Sequence, residues 1–289
     1  MNNVLITGGK GQLASCLKDI TKNINGHNFI YVDVDELDIV KENDVETFFI
    51  ENKITHCINC AAYTAVDKAE SEKEMANDIN VKGAKNLALS CKKSGAILIH
   101  ISTDFVFDGK QTRPYTEEDK ENPLGVYGET KLLGEREIMG ILKEYFIIRT
   151  SWLYSEYGHN FLKTMLKLGQ EKKVLKVVAD QIGTPTYAKD LAEVIIGLIK
   201  SGNDSYGLYH YSNEGVLSWY DFAMAIFELS RLKVNLVPVK SSDYKTLAER
   251  PKFSVLDKSK LKEELCITIP YWRNSMVYCL NKITESKNL

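Results

Sequence analysis

Short apolar runs rich in β-branched residues alternate with longer amphipathic stretches over the first half of the chain. The runs NVLIT (3–7), FIYVDV (29–34), THCINCA (55–61), AILIHIS (96–102) and YFIIRTSW (145–152) predict strands, since brief apolar runs bounded by turn formers suit buried strands. Between them GQLASCLKDITKNI (11–24), KENDVETFFIENK (41–53), a long stretch from about Glu72 to Lys93 and a segment opened by Pro123 predict helices. Such alternation predicts an α/β fold built on a doubly wound, Rossmann-like parallel sheet, with ligands at the carboxyl ends of its strands.

Beyond about residue 150 the rhythm loosens. NFLKTMLKLGQE (160–171), DLAEVIIGLIK (190–200), SWYDFAMAIFELSRL (218–232) and YWRNSMVYCLNKI (271–283) predict helices; VLKVVAD (174–180) and GLYHYS (207–212) predict strands. There is no internal repeat, low-complexity tract or flexible linker, and only the final TESKNL reads as a frayed end.

The first strand runs into a glycine turn and then a helix, the opening of a βαβ unit. Gly8 permits a tight turn, Gly11 lets the backbone approach a pyrophosphate, and the free amides at the helix start, with the positive end of its dipole, hold the anion. Ala14 supplies a small residue in third place. Asp33 follows about twenty residues on, where a carboxylate accepts hydrogen bonds from adenosine ribose hydroxyls, although Asp33, Asp35 and Glu36 also suit a plain polar loop. No arginine follows closely to neutralise a 2′-phosphate, so the expected cofactor is NADH or NADPH, with NADH slightly favoured. Ala61 and Ala62 are small enough for a dinucleotide to lie against the end of the third strand. Thr7, Asp33, Ala61, Ser102, Thr103 and Trp152 all stand at or just beyond strand ends and so converge on one crevice. Residues 1–150 are therefore expected to form a dinucleotide-binding domain, joined by a returning segment near 188–213, and residues 151–289 mainly a smaller C-terminal substrate-binding lobe that closes the cleft.

Tyr127 and Lys131 sit four apart on a predicted helix and share one face. Working a phenol as an acid near neutrality means lowering its pKa by about three pH units, about 4 kcal/mol, and a fixed ammonium is one way to supply that. Standing alone, the pair reads more readily as a core tyrosine beside a solvated lysine; the crevice upstream reverses that balance toward chemistry.

The charge balance narrows the partners. A net charge of −2 gives no basic footprint for nucleic acid or anionic lipid. No apolar run approaches the roughly 20 residues of a bilayer span, and MNNVLITGG enters a strand without a basic and apolar leader, so a cytoplasmic protein is expected. The six cysteines show no disulfide spacing. Cys57-x-x-Cys60 lies in an apolar strand with no second ligand pair, and the histidines form no metal-binding cluster, so no metal is expected.

Together TGGKGQLA, NCAAYTAVDKAESE, ISTDFVFDG, NPLGVYGETKLLGE, IIRTSWLY, NFLKTML, VVADQIGTPTYAKDLA, GLYHYSNEGVLSWYDFA and AERPKFSVLD, in this order along nearly the whole chain, resemble the dTDP-4-dehydrorhamnose reductase family of the extended short-chain dehydrogenase/reductase superfamily. The resemblance implies NAD(P)H-dependent reduction of the C4 ketone of dTDP-6-deoxy-L-lyxo-4-hexulose to dTDP-L-rhamnose. It implies that Thr103 bonds the substrate carbonyl, that Tyr127 gives the proton, and that Lys131 holds the cofactor ribose and tunes Tyr127. It places Gly8, Gly11, Gln12, Leu13, Asp33, Asp38, Ile39, Ala61, Ala62, Tyr63, Thr64 and Ile101 on the dinucleotide with Tyr127 and Lys131, and Thr103, Asp104 and Trp152 on the sugar. Arg250 pairs either with the nucleotide diphosphate or with a surface acid. Some family members carry, where Cys16 stands, a glutamate that helps bind magnesium between subunits; a thiol is a poor magnesium ligand, so no metal-linked dimer is expected and a homodimer of another kind stays open. Other readings are an epimerase or dehydratase acting on nucleotide sugars, a non-catalytic dinucleotide-binding regulatory subunit, and a reductase of small ketones.

Overall fold

A computed structural model describes residues 2–244 and 246–287. Five strands, β1 (Asn2–Thr7), β2 (His27–Tyr31), β3 (His56–Asn59), β4 (Ile97–Thr103) and β5 (Tyr145–Thr150), join the later strand Gly207–His210 in one six-stranded sheet. Every pairing is parallel, and the order runs from Gly207–His210 through β5, β4, β3 and β1 to β2. The chain therefore moves outward in opposite directions on either side of the β1/β3 boundary, and the crevice at such a switch point is where open α/β sheets bind ligands.

Both faces of the sheet are covered, which is why its strands read as apolar runs without alternation. On one face α1 (Gln12–Thr21) packs on Ala188–Ser201, with Val4, Ile6, Ile58, Ile99 and Ile148 beneath them. On the other, α2 (Glu42–Glu51) and the helices Ala84–Ser94 and Val126–Ile141 cover Leu5, Cys57, Leu98 and Ile147. Three later helices, Phe161–Glu171, Trp219–Ser230 and Trp272–Lys287, surround a separate core around Phe222, Tyr154 and Met276. Ser218 and Asp221 form a reciprocal capping box at the start of Trp219–Ser230. A parallel pair, Val174–Val178 with Asn235–Val239, flanks this lobe; the second strand has no counterpart among the sequence expectations, because Pro238 within it weakens the strand pattern.

Three local expectations change. The single helix expected from Glu72 to Lys93 is instead Lys73–Asn77, a π-helical turn Asp78–Gly83, and Ala84–Ser94. The widened turn turns Asn80 inward: its Oδ1 accepts the Tyr63 amide at 2.9 Å, and its Nδ2 donates to the Thr130 hydroxyl at 3.0 Å. The helix carrying Tyr127 and Lys131 begins at Val126, not at Pro123, because the Glu70 carboxylate accepts the Val126 amide at 2.9 Å and takes the place of a cap from the chain itself. Its close approach to the π turn needs Gly134, where a Cβ would lie 2.2 Å from the Asn80 carbonyl oxygen. Of the TESKNL stretch, 284–287 continue the last helix, and Asn288 and Leu289 lie outside the described residues.

Candidate active site

At the β1/β3 switch point lies a cleft of about 720 Å³. Gly8 turns the chain out of β1 with φ +64°, and a Cβ there would stand 2.8 Å from the Ala61 amide, so strand end and turn touch in a way only glycine allows. The Gly11 amide donates to the Gly8 carbonyl at 2.9 Å, and α1 starts directly beyond with no side-chain cap, leaving amides at its positive end. The residues fit a dinucleotide: a cradle closed to any Cβ, followed by an uncapped helix of ten residues.

Gly8, Gly11, Gln12, Leu13, Asp33, Asp38, Ile39, Ala61, Ala62, Thr64, Ile101, Thr103, Asp104, Tyr127, Lys131 and Trp152 all line this cleft. Tyr63 and Arg250 do not. The Tyr63 hydroxyl donates to the Glu72 carboxylate at 2.5 Å and its backbone is held by Asn80, which turns the ring out of the cleft. The Arg250 guanidinium pairs with Asp67 at 2.8 Å, the surface-acid alternative, so in this structure no free cation is offered there to a diphosphate. Residues not expected from sequence also line the wall, among them Lys10, Gly158 and His159. Lys10 sits inside the glycine turn, where its amide donates to Asp33 at 2.9 Å and its ammonium pairs with Asp35 at 2.6 Å. Gly158 and His159 arrive from the second lobe, tied across by Gln12, whose Nε2 donates to the Leu153 carbonyl at 3.3 Å. The one local signal for that loop was a glycine, at φ +60°, just before the Asn160 helix cap.

Trp152 holds a left-handed backbone, φ +46°, uncommon for a bulky residue. It persists because the indole is stacked on Trp219, ring centroids 3.6 Å apart, and lies against Gly183, where a Cβ would meet the ring at 2.7 Å. The residue is thus both lobe packing and cleft wall.

Thr103, Asp104 and Tyr127 meet at the end of β4. The Thr103 hydroxyl accepts the Phe105 amide at 3.2 Å and faces the Tyr127 phenol. Burial pushes that phenol up to about 12, with the Thr103 hydroxyl opposing the rise and the Asp104 charge adding to it. The Lys131 charge is not among the causes of that shift. The Lys131 ammonium donates to the Ile101 carbonyl at 2.7 Å and lies 3.2 Å from His100 Nε2, so it is drawn toward the sheet. Burial pulls Lys131 itself down to about 8, against Glu135 and the Cys60 thiol. Cys60 and Cys57 are thiols held protonated by burial, and Cys16 is likewise buried on α1. No group of three or more His, Cys, Asp or Glu side chains suited to a metal ion occurs among the described residues.

Asp104 is 2 % exposed, and its Oδ2 has no hydrogen-bond partner within the protein. Burial raises its carboxyl to about 6, opposed by Ser254 and Thr103. A carboxyl raised in the folded state favours folding when protonated. Its contribution is therefore fully favourable below about pH 4 and is lost as pH rises to about 6. The loss amounts to about 3 kcal/mol. Asp104→Asn is accordingly expected to gain on the wild type in urea unfolding between about pH 4 and pH 7 by that order. A stability difference that did not change with pH would mean the carboxyl is not buried as described.

A dinucleotide cleft at the switch point of a parallel sheet, roofed by a second lobe, is the plan of the extended short-chain dehydrogenase/reductases, and the chain is an NAD(P)H-dependent oxidoreductase of that class. Within it the chain belongs to the RmlD substrate binding domain family, whose model matches residues 1–285. It is 40% identical over 286 residues to a dTDP-4-dehydrorhamnose reductase of Aggregatibacter actinomycetemcomitans, covering 96% of this chain and 97% of that one. Among solved structures, a dTDP-4-dehydrorhamnose reductase of Clostridium acetobutylicum superimposes with TM-score 0.94 at 41% identity, covering 98% of this chain and 99% of the other. The dTDP-4-dehydrorhamnose reductase of Bacillus anthracis, in complex with NADP, gives TM-score 0.93 at 39% identity, covering 98% and 100%. No helix among the described residues is long and apolar enough to cross a membrane.

Proposed function

We propose that the protein reduces the C4 ketone of dTDP-6-deoxy-L-lyxo-4-hexulose to dTDP-L-rhamnose in the cytoplasm. The observation that carries this reading is the convergence of Thr103, Asp104, Tyr127, Lys131 and Trp152 on the same cleft as the glycine turn, in a chain similar over its full length to reductases of that name. The nicotinamide supplies the hydride. The Thr103 hydroxyl donates to the ketone oxygen and holds it beside Tyr127, and Tyr127 passes its proton to that oxygen as charge develops. Lys131 supports the phenol, and Trp152 and Asp104 set the sugar against it. The first 150 residues with 188–213 carry the dinucleotide, and the lobe around Phe222 carries the nucleotide sugar.

Mixing the protein with NADH and the dTDP-4-keto-sugar tests this reading. Loss of reduced-nicotinamide absorbance, with dTDP-L-rhamnose as product, is the expected result. An epimerase or dehydratase returns its hydride and would show no net oxidation, and a regulatory subunit would stay silent with every nucleotide sugar.

A further inference from the structure

Asn59 on β3 stands opposite His100 on β4, and both are 1 % exposed, as Lys131 is 2 %. Asn59 Oδ1 accepts the Thr7 hydroxyl at 2.7 Å and the Ala61 amide at 3.2 Å. A backbone amide can only donate, and the Ala61 amide lies nearer this oxygen than the Thr7 hydroxyl it also reaches at 3.4 Å, so the oxygen of the Asn59 carboxamide faces Ala61 and its NH₂ faces His100. That NH₂ lies 3.0 Å from His100 Nδ1. Nδ1 therefore carries a lone pair, and the ring proton sits on Nε2. This Nε2–H points at Lys131 Nζ, 3.2 Å away, where only an amine with a free lone pair can accept it.

We infer that Asn59 and His100 form a tautomer lock that presents a donor to Lys131, favours its uncharged amine, and makes the charge of this lysine depend on the acceptors a bound dinucleotide brings. His100 and Asn59 do not line the cleft and act through Lys131, as positioning residues. Burial holds His100 well below its ordinary pKa, so the ring keeps one protonation state across the neutral range. The groups facing Lys131 are His100 and the Ile101 carbonyl from β4, the Cys60 thiol beyond β3, and Glu135 and Tyr127 one turn away on its own helix. Cys60 is held protonated, and the Glu135 carboxylate is committed to Arg149 at 2.7 Å. The hydrogen-bonding sense of His100 thus decides whether an ammonium finds a second acceptor beside Ile101. Its catalytic meaning rests on the reductase reading, but its test reads the lysine directly and needs no substrate.

The test is NMR of the full-length protein labelled in histidine and lysine, without added nucleotide. His100 is expected to show an unprotonated Nδ1 and a protonated Nε2, and Lys131 to titrate near 8 instead of 10.5. Asn59→Asp replaces the NH₂ by an acceptor, reverses the ring and turns the Nε2 lone pair toward Lys131; the midpoint should rise by about one pH unit or more. His100→Gln, which can offer its carbonyl oxygen to the ammonium, should move it the same way, and the basic limb of the kcat profile should follow in whichever variant folds. A proton on Nδ1 of wild-type His100, or a Lys131 midpoint unmoved in the folded variants, overturns the lock. Failure of the reductase reading would look different: no NADH oxidation, with the Lys131 titration unaffected.

Discussion

Tyr127→Phe is expected to lower kcat by about 10²–10⁴-fold while NAD(P)H binding changes little. The phenol is the group in the cleft wall that has a proton to give beside the Thr103 hydroxyl, and its raised pKa keeps that proton in place at neutrality. Phenylalanine keeps the edge-on contact with Phe105, whose ring centroid lies 5.5 Å away, so the helix start should not move. Loss in kcat with an unaltered nucleotide dissociation constant, measured by nicotinamide fluorescence, therefore isolates proton transfer from folding. Near-wild-type turnover would remove Tyr127 from the reaction. Burial holds the phenol at about 12, so it is a poor acid by itself, and under the function proposed above the help it needs is expected from Lys131.

Arg149→Met is expected to destabilise the protein by about 3–5 kcal/mol, the largest single effect on folding anticipated here. The Arg149 and Glu135 side chains are both fully buried, joined by bonds of 3.0 and 2.7 Å, with Glu121 adding a third contact at 2.8 Å and Ser102 donating to Glu135. Methionine would leave the Glu135 carboxylate inside the protein without its cation, and the cost lies in that stranded charge more than in the lost attraction. Removing both charges, as Arg149→Met with Glu135→Leu, should recover most of the loss in urea unfolding. A double variant no more stable than the single one would refute this account. The cluster also ties the helix of Tyr127 and Lys131 to β4 and β5, since Glu135 lies one turn past Lys131. The single variant should therefore lose activity as well.

Much of the cleft could be read from residue order. Thr7, Ala61, Ser102, Thr103 and Trp152 all stand at or just beyond strand ends, and a parallel sheet with helices between its strands brings such ends to one rim whatever the details of packing. What local order could not supply is the direction of a side chain once neighbours compete for it. Tyr63 follows Ala61 and Ala62 by sequence, but Glu72 and Asn80 from a π turn draw it aside. Arg250 was a candidate for a diphosphate, yet Asp67, 183 residues earlier in the chain, claims it.

The alternation of apolar runs and amphipathic stretches determined by itself the parallel sheet, the glycine turn and the four-residue spacing of Tyr127 and Lys131, because each is a property of short segments. Only tertiary structure decided that Lys131 turns to a carbonyl and a histidine on the strand beneath it, that Arg149 is buried between two glutamates, and that Trp152 rests on Trp219. These are contacts between segments far apart in the chain, and their hydrogen-bond directions and charges depend on which groups packing has removed from water.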